Sequence, residues 1–293
     1  IMNRDLQELP RFDDKWSFLY LEKGHIEQDV QTVAYMYADK KVPIPIETLS
    51  VLMLGPGTTI TQAAIRLLAE ARCLICWVGE DGVRMYSAGT VGTYSARNLL
   101  RQAQLFNDPD ARLVVVRRLY SMRFKEPIDT RLSIEQLRGK EGARVRTAYK
   151  EAAEEYGIEW TGRNYDQSQW GISDPVNKAL SAANSCLYGL CHAAILAVGC
   201  SPGIGFIHTG KQLSFVYDIA DLYKTEFTIP IAFRVAQAPA SVASRARQEC
   251  RDTFKERRLI KRIIPDLMEV LYGDRSLGKG DAESEGRDVA VNY

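Results

Sequence analysis

The residues with the clearest chemical potential lie between positions 203 and 224, where one histidine is followed closely by two aspartates. His208 stands in a Gly-rich loop, and Asp218 and Asp221 interrupt a mostly apolar segment that predicts a helix. Residues three apart on a helix share a face, with about 5–6 Å between their Cβ atoms. Two such carboxylates repel each other and lose hydration, so we expect a cation beside them. The plain alternative is that Asp218 caps the chain or pairs with an arginine, while Asp221 is solvated and His208 is an ordinary loop residue.

Glu141 is the acid that best completes this set, in the segment Arg-Gly-Lys-Glu-Gly-Ala-Arg. An isolated glutamate there would pair with Arg138 or Arg144 at helical spacing. Together with His208 and Asp221 it supplies two carboxylates and one imidazole. Such a donor set suits Mg²⁺ or Mn²⁺ and leaves coordination positions for water and a phosphate oxygen. The sequence therefore predicts a metal centre with Glu141, His208 and Asp221 as ligands.

The middle of the chain carries an excess of basic residues, twelve against six acidic ones between positions 97 and 146, and a second basic series runs from 245 to 262. Charge runs on helices are usually solvated faces. The preference for arginine favours phosphate, which the guanidinium fork binds with two hydrogen bonds. Aromatic rings beside a basic groove can stack on unpaired bases, although core packing is the alternative for each ring. The candidate DNA contacts from this argument are Arg112, Arg138, Arg245, Tyr165, Trp170 and Tyr188.

Composition places the chain among ordinary globular proteins, with 293 residues, 46% apolar residues and a net charge of +1. That length allows two domains, and the charge argues against a polycation. Six cysteines in apolar surroundings favour a reducing cytoplasm. Cys73 and Cys76 have CxxC spacing without a second pair, so no zinc site is predicted. Neither a signal peptide nor a run of about 18 apolar residues is present, and we expect a cytoplasmic protein without a membrane segment.

Strand signals dominate the first third of the chain, and helical periodicity dominates the rest. Short β-branched and aromatic runs between turn residues predict strands at 16–21, 33–37, 42–46, 51–54, 73–78 and 83–86, with one helix over 61–71. Helices are predicted near 94–106, 110–124, 133–157, 174–199, 213–224, 228–237 and 241–272, the last with a kink or break at Pro265. The predicted fold class is α+β and multidomain: a small N-terminal β-sandwich-like domain (1–90), a larger all-α catalytic domain (91–275) and a flexible C-terminal tail (276–293).

Three of these segments, in this order behind an N-terminal β domain, resemble the CRISPR-associated integrase family, the nucleases of spacer acquisition, and its type I-E branch most closely. They are Glu141 in Arg-Gly-Lys-Glu-Gly-Ala-Arg-Val-Arg, His208 in Gly-Phe-Ile-His-Thr-Gly-Lys, and Tyr-Asp-Ile-Ala-Asp with Asp218 and Asp221. The likeness extends over roughly residues 16–272. It implies catalytic roles for all four residues, with Glu141, His208 and Asp221 on Mg²⁺ or Mn²⁺ and Asp218 in support.

The same resemblance implies partners. The family forms homodimers, two of which clamp a dimer of a small ferredoxin-like companion protein. The implied DNA substrates are double-stranded DNA with single-stranded 3′ ends and the CRISPR repeat.

The implied reaction inserts protospacer DNA into a CRISPR array by attack of a 3′-hydroxyl on a phosphodiester, as a metal-dependent endonuclease and integrase of antiviral defence. ATP is not required, because one phosphodiester replaces another. Lys211 is expected to meet a phosphate near the metal, and Arg163 to join the DNA contacts. Arg66 and Arg84 would follow the duplex farther away. Two alternatives stay open: a metal-dependent nuclease acting on branched DNA repair intermediates, and a non-catalytic DNA-binding scaffold whose acids form structural ion pairs.

Overall fold

The structure is a computed structural model that describes residues 18–79, 85–89, 96–129, 131–163, 174–238 and 240–273. Of the predictions above, those for Arg84, Tyr165, Trp170 and the tail 276–293 lie outside these ranges. The strands within them are β1 Leu19–Leu21, β2 His25–Asp29, β3 Thr32–Tyr37, β4 Lys40–Ile44, β5 Val51–Leu54, β6 Thr59–Ile60, β7 Leu74–Val78 and β8 Met85–Ala88. The helices are α1 Gln62–Glu70, α2 Arg97–Asn107, α3 Pro109–Phe124, α4 Ile134–Tyr156, α5 Pro175–Ala197, α6 Ser214–Ala220, α7 Thr228–Ala236, α8 Val242–Glu256 and α9 Leu259–Tyr272. The predicted α+β class, with β structure ahead of a mostly helical region, is confirmed.

The strands form two four-stranded sheets, in the orders β1-β5-β7-β8 and β4-β3-β2-β6. Strand β5 lies inside the first sheet, parallel to both neighbours. Its side chains alternate between faces: Leu52 and Leu54 belong to the core shared with the second sheet, and Val51 and Met53 belong to the core shared with the helices. All four are buried, which explains why β5 is an uninterrupted apolar run.

Strand β2 was missed by the sequence prediction, which placed no strand between residues 21 and 33. Only Ile26 of its five residues is buried, so the segment lacks the apolar run that marks a strand. Its pairing with β3 depends on a tight hairpin in which Val30 adopts a positive φ of 56°, an unusual conformation for a β-branched residue. The short strand β6, which pairs in parallel with β2, was also missed because it lacks an apolar run.

Helix α5 is the centre of the helical region, and α6, α7, α8 and α9 all pack against it. By length and composition it is the one described helix that could cross a membrane, but most of it is buried within the protein, as in the core helix of a globular domain. Because the surrounding helices pack on the buried helix α5, the segment 203–224, which includes α6, is also held against it.

Two helix boundaries differ from the prediction. Helix α3 begins one residue earlier than predicted, at Pro109, and Asp108 caps it by accepting hydrogen bonds from the backbone N–H groups of residues 110 and 111. The predicted helix 241–272 breaks at Arg258, where φ is 49°, while Pro265 lies inside α9. Arg257 and Arg262 lie on either side of the break, and both contact Glu226. The turn between α8 and α9 thus allows both arginines to reach one carboxylate.

Candidate metal centre

Asp218 is the buried anchor of the site. Its carboxylate accepts four hydrogen bonds: from the backbone N–H groups of Phe206 (2.6 Å) and Ile207 (3.1 Å) at Oδ2, and from the backbone N–H and ring Nδ1 of His208 (2.9 and 2.8 Å) at Oδ1. A carboxylate has about four acceptor positions, so this one is saturated by the loop that precedes α6. Asp218 therefore acts on His208 and holds the loop in place.

The orientation of His208 follows from that anchor. Because Oδ1 acts as an acceptor, Nδ1 carries a proton, and in the neutral imidazole Nε2 then keeps a free lone pair. Nε2 lies 4.0 Å from Oδ2 of Asp221, and Tyr217 packs edge-on against the ring at 5.8 Å between centroids. Metal-binding histidines are typically held in this way, with a carboxylate that fixes the tautomer.

Gly205 allows the loop to fold this tightly. A Cβ atom at this position would lie 2.4 Å from the carbonyl oxygen of His208 and 2.6 Å from the backbone of Ser214. Contacts below 3 Å with backbone atoms cannot be relieved by a side-chain rotation. The glycine at this position therefore serves close packing of the loop backbone.

Glu141 and Asp221 come together on one buried arginine. Arg123, on α3, forms an ion pair with Glu141 of α4 through one terminal nitrogen. The other terminal nitrogen lies 3.4 Å from Oδ2 of Asp221 and donates to the carbonyl oxygen of Asp218 at 3.1 Å. The Arg123 side chain is 3% exposed, so the cation expected beside these carboxylates is a guanidinium of the protein itself.

Lys224 binds the other side of Asp221, with Nζ 2.6 Å from Oδ1. Burial would raise the pKa of Asp221, but Lys224 and Arg123 together outweigh burial and hold this pKa below its ordinary value. The pKa of Arg123 is raised, since Asp221 and Glu141 outweigh the effect of its own burial. We name the set Arg123, Glu141, Asp218, Asp221 and Lys224 the Arg123 cluster; its three carboxylates exceed its two cations.

The residues fit a hard divalent ion chemically. Two ligands of one Mg²⁺, each about 2.1 Å from it, lie at most about 4.2 Å apart. The 4.0 Å between His208 and Asp221 is within that limit. Among the described residues, however, no three His, Cys, Asp or Glu side chains form a group that could hold one metal ion as they stand. Glu141 is paired with Arg123 in this structure.

Four arginines predicted to contact DNA donate to groups of this chain. Arg112 donates twice to the carbonyl oxygen of Phe206, at 3.1 and 2.9 Å, and Arg138 donates to that of Ile207 at 3.3 Å. These two hold the outer side of the loop that Asp218 holds from within. Arg163 binds the N-terminal turn of α5, and Arg245 donates to carbonyl oxygens at the end of α7. The arginine preference in the sequence thus reflects carbonyl binding at these positions, and their DNA contacts stay predictions.

The other described candidates lie as follows. Lys211 is exposed, three residues from His208. Arg66 is exposed on α1 and pairs with Glu70 at 3.7 Å. Tyr188 is half-buried beside the metal centre, in edge contact with Tyr217 at 5.1 Å and with Lys224 over its ring at 4.9 Å.

A second charged cluster lies close by, and in it cations outnumber carboxylates. Glu226 is within 4 Å of Lys125, Arg257 and Arg262, at 3.7, 3.5 and 2.8 Å. The side chains of these three cations are 71%, 54% and 40% exposed. The hydrogen bond from Arg262 holds the pKa of Glu226 below its usual value. We name these four residues the Glu226 cluster.

Sequence reasoning overlooked Arg123, Lys224 and Tyr217. Lys224 could have been found, since it follows Asp221 at i,i+3 spacing. Nothing in the sequence distinguishes Arg123 from the eleven other basic residues around it.

Comparison with known proteins gives one consistent result. A sequence model of the family described as CRISPR associated protein Cas1 matches residues 19–130 and 121–241. The chain is 49% identical to CRISPR-associated endonuclease Cas1 2 of Thermus thermophilus, over 92% of this chain and 83% of that protein. It is 45% identical to CRISPR-associated endonuclease Cas1 of Escherichia coli, over 88% and 85%. The crystal structure of a TtCas1–DNA complex superposes with a TM-score of 0.81 at 46% identity and covers 94% of this chain and 98% of that one.

Proposed function

The chain belongs to the Cas1 family of CRISPR-associated proteins, and from that premise we propose that it is a metal-dependent DNA endonuclease and integrase of CRISPR adaptation. Its reaction would be attack of a protospacer 3′-hydroxyl on a phosphodiester of the CRISPR repeat. The high identity to proteins named CRISPR-associated endonucleases, and to one crystallised with DNA, supports nuclease chemistry on DNA.

The observation that carries the proposal is the convergence on Asp221. Its Oδ2 faces both Nε2 of His208 and the guanidinium that also binds Glu141. Glu141, His208 and Asp221 would hold Mg²⁺ or Mn²⁺, which supplies Lewis-acid polarisation of a phosphate when bound.

The chain's own residues perform the positioning. Asp218 keeps the proton of His208 on Nδ1, so that Nε2 is available as a ligand. Arg112 and Arg138 bind two carbonyl oxygens of the loop from outside. Gly205, which has no Cβ, allows the loop backbone to pack this closely. Lys211, exposed beside the loop, is placed to attract a phosphate by charge.

Strand transfer of a labelled duplex with free 3′-hydroxyl ends into repeat DNA, with Mn²⁺ present, tests the proposal. Glu141→Gln, His208→Ala and Asp221→Asn should each reduce product formation by at least about a hundredfold while DNA binding and folding persist. Glu226→Gln is the matched control, because it changes a carboxylate of the neighbouring cluster and should retain activity. Wild-type-like activity in all three site variants would refute the metal assignment.

The form of the product separates the alternatives. Joined DNA identifies an integrase, and cut but unjoined DNA identifies a nuclease for branched intermediates. A protein that binds DNA but takes up no Mn²⁺ in a titration would be a scaffold whose acids serve only the ion pairs described above.

The partners belong to the same proposal. We expect a homodimer, two of which bind a dimer of a small ferredoxin-like companion, acting in the cytoplasm on DNA with single-stranded 3′ ends. Light scattering of the chain alone and mixed with the companion measures both stoichiometries. A monomer that ignores the companion would contradict this assembly.

A further inference from the structure

We infer that Arg123 is the resident counter-cation of the metal centre and competes with the divalent metal for Glu141 and Asp221. The inference rests on the proposed function, because it assumes that those two carboxylates are metal ligands. It assigns to a buried arginine a role in setting how tightly the metal binds.

The position of the guanidinium is the first argument. One terminal nitrogen binds Glu141, and the other lies 3.4 Å from Oδ2 of Asp221. Oδ2 is also the oxygen that faces Nε2 of His208 at 4.0 Å. Any ion shared by His208, Asp221 and Glu141 would therefore take the oxygens on which the guanidinium lies.

The second argument is charge balance. Glu141, Asp218 and Asp221 are grouped within a few ångströms, and buried carboxylates without a counter-charge are costly. Arg123 and Lys224 supply the two positive charges of the cluster when metal is absent. The arriving ion would bring two more positive charges to carboxylates that the guanidinium already partly neutralises.

The third argument is that Arg123 makes few contacts apart from those with the carboxylates. Its Nε is buried without a hydrogen-bond partner, and its one described bond outside the carboxylates goes to the carbonyl oxygen of Asp218. The guanidinium also lies over the ring of Tyr120, 5.4 Å from the centroid. If the metal replaced Arg123 on Glu141 and Asp221, the guanidinium would keep the carbonyl oxygen of Asp218 and the ring of Tyr120 as contacts.

Lys224 offers a matched control within the same cluster. It carries the same charge and binds the same aspartate, but at Oδ1, the oxygen that does not face His208. If competition for the ligand oxygens matters, removing Arg123 should strengthen metal binding more than removing Lys224. If only general repulsion between positive charges matters, the two removals should act alike.

The experiment is calorimetric titration of Mn²⁺ into metal-free protein, with thermal melting in the absence and presence of Mn²⁺. Arg123→Met should bind Mn²⁺ at least about tenfold more tightly than wild type and at least threefold more tightly than Lys224→Met, by the removal of a charge a few ångströms from the ion. Its metal-free Tm should fall by several degrees, and Mn²⁺ should raise its Tm by more than it raises that of wild type. Binding equal to or weaker than wild type, or equal gains in the two variants, would overturn the inference.

Arg123→Gln is the second variant if the methionine variant does not fold, because its amide can still donate to the carbonyl oxygen of Asp218. The same thresholds decide the outcome. Wild-type protein that takes up no Mn²⁺, or whose uptake survives loss of Glu141, His208 and Asp221, would instead contradict the proposed metal centre, so the two failures are distinguishable.

Discussion

The Arg123 cluster and the Glu226 cluster share two segments of the chain and have opposite charge balances. The end of α3 supplies Arg123 to one and Lys125 to the other, and the segment after α6 supplies Asp221 and Glu226. At the centre of the first, the side chains of Arg123 and Asp218 are 3% and 0% exposed, and carboxylates outnumber cations. In the second, three cations that are 71%, 54% and 40% exposed surround one carboxylate. A rich set of ion pairs in this protein therefore does not by itself indicate a functional site.

Burial decides what each cluster can do. An exposed ion pair is screened by water and salt and contributes little to stability. A buried one cannot lose a partner without leaving an uncompensated charge. In the Arg123 cluster, carboxylates outnumber cations, and this imbalance favours binding of a further cation. In the Glu226 cluster, water and salt screen the excess positive charge.

The largest expected effect comes from Asp218→Ala. Removing this carboxylate leaves three backbone N–H groups and Nδ1 of His208 without their acceptor, and the free energy of unfolding should fall by about 3–5 kcal/mol. Glu226→Ala should lower it by less than about 1 kcal/mol. Urea unfolding of both variants measures the difference, and equal losses would break the contrast between the clusters.

Gly205→Ala should lower the free energy of unfolding by about 1–3 kcal/mol, because its Cβ would collide with the backbone that presents His208. It should also reduce strand transfer, since the loop must shift. Gly139→Ala is the control: it lies on α4 near Glu141 with open space around its Cβ. It should stabilise the helix by up to about 1 kcal/mol and leave activity intact. An unaffected Gly205→Ala enzyme would show that loop closure is not required.

The pH dependence of stability should also distinguish the clusters. The pKa of Asp221 is depressed in the folded state, so its contribution is fully present above the ordinary carboxyl pKa, about 3.9, and is lost as pH falls through the folded value. Asp221→Asn should therefore flatten the dependence of unfolding free energy on pH below about pH 4. Glu226→Gln should flatten it less, because its partners are exposed. A larger change in the Glu226 variant would show that Glu226, and not Asp221, interacts more strongly with its cationic partners.

The smallest effect concerns DNA. Lys211→Ala should weaken DNA binding and reduce the salt slope of log K by about 0.9, the loss of one phosphate contact. Arg245→Ala should cost about 0.5–1.5 kcal/mol of stability, because its guanidinium donates to carbonyl oxygens at and just beyond the end of α7. Filter binding across salt concentrations tests whether it also meets DNA: a slope lowered as in the Lys211 variant would confirm that contact, and an unchanged slope would contradict it.

Much of the fold could be predicted from periodicity. Helices α2 to α5 and strands β5 and β7 are long or apolar enough to be recognised, and a capping box at Ser133 marks the start of α4. Strand β2 and the break at Arg258 could not be recognised, because both depend on pairing and contacts with distant residues. The candidate metal ligands were found from residue type and resemblance, and the role of Asp218 in support agrees with its bonds to His208.

What the sequence alone determined is the chemical inventory and its local order: carboxylates and an imidazole in an apolar setting, β structure before helices, and an excess of arginine. Only the tertiary structure decided how that inventory is used. Arg112, Arg123 and Arg138 look alike along the chain, yet two bind loop carbonyls and one lies between carboxylates. The reason is that the partner of a charged side chain is set by which segments the apolar core of α5 brings together, and spacing along the chain does not encode that distance.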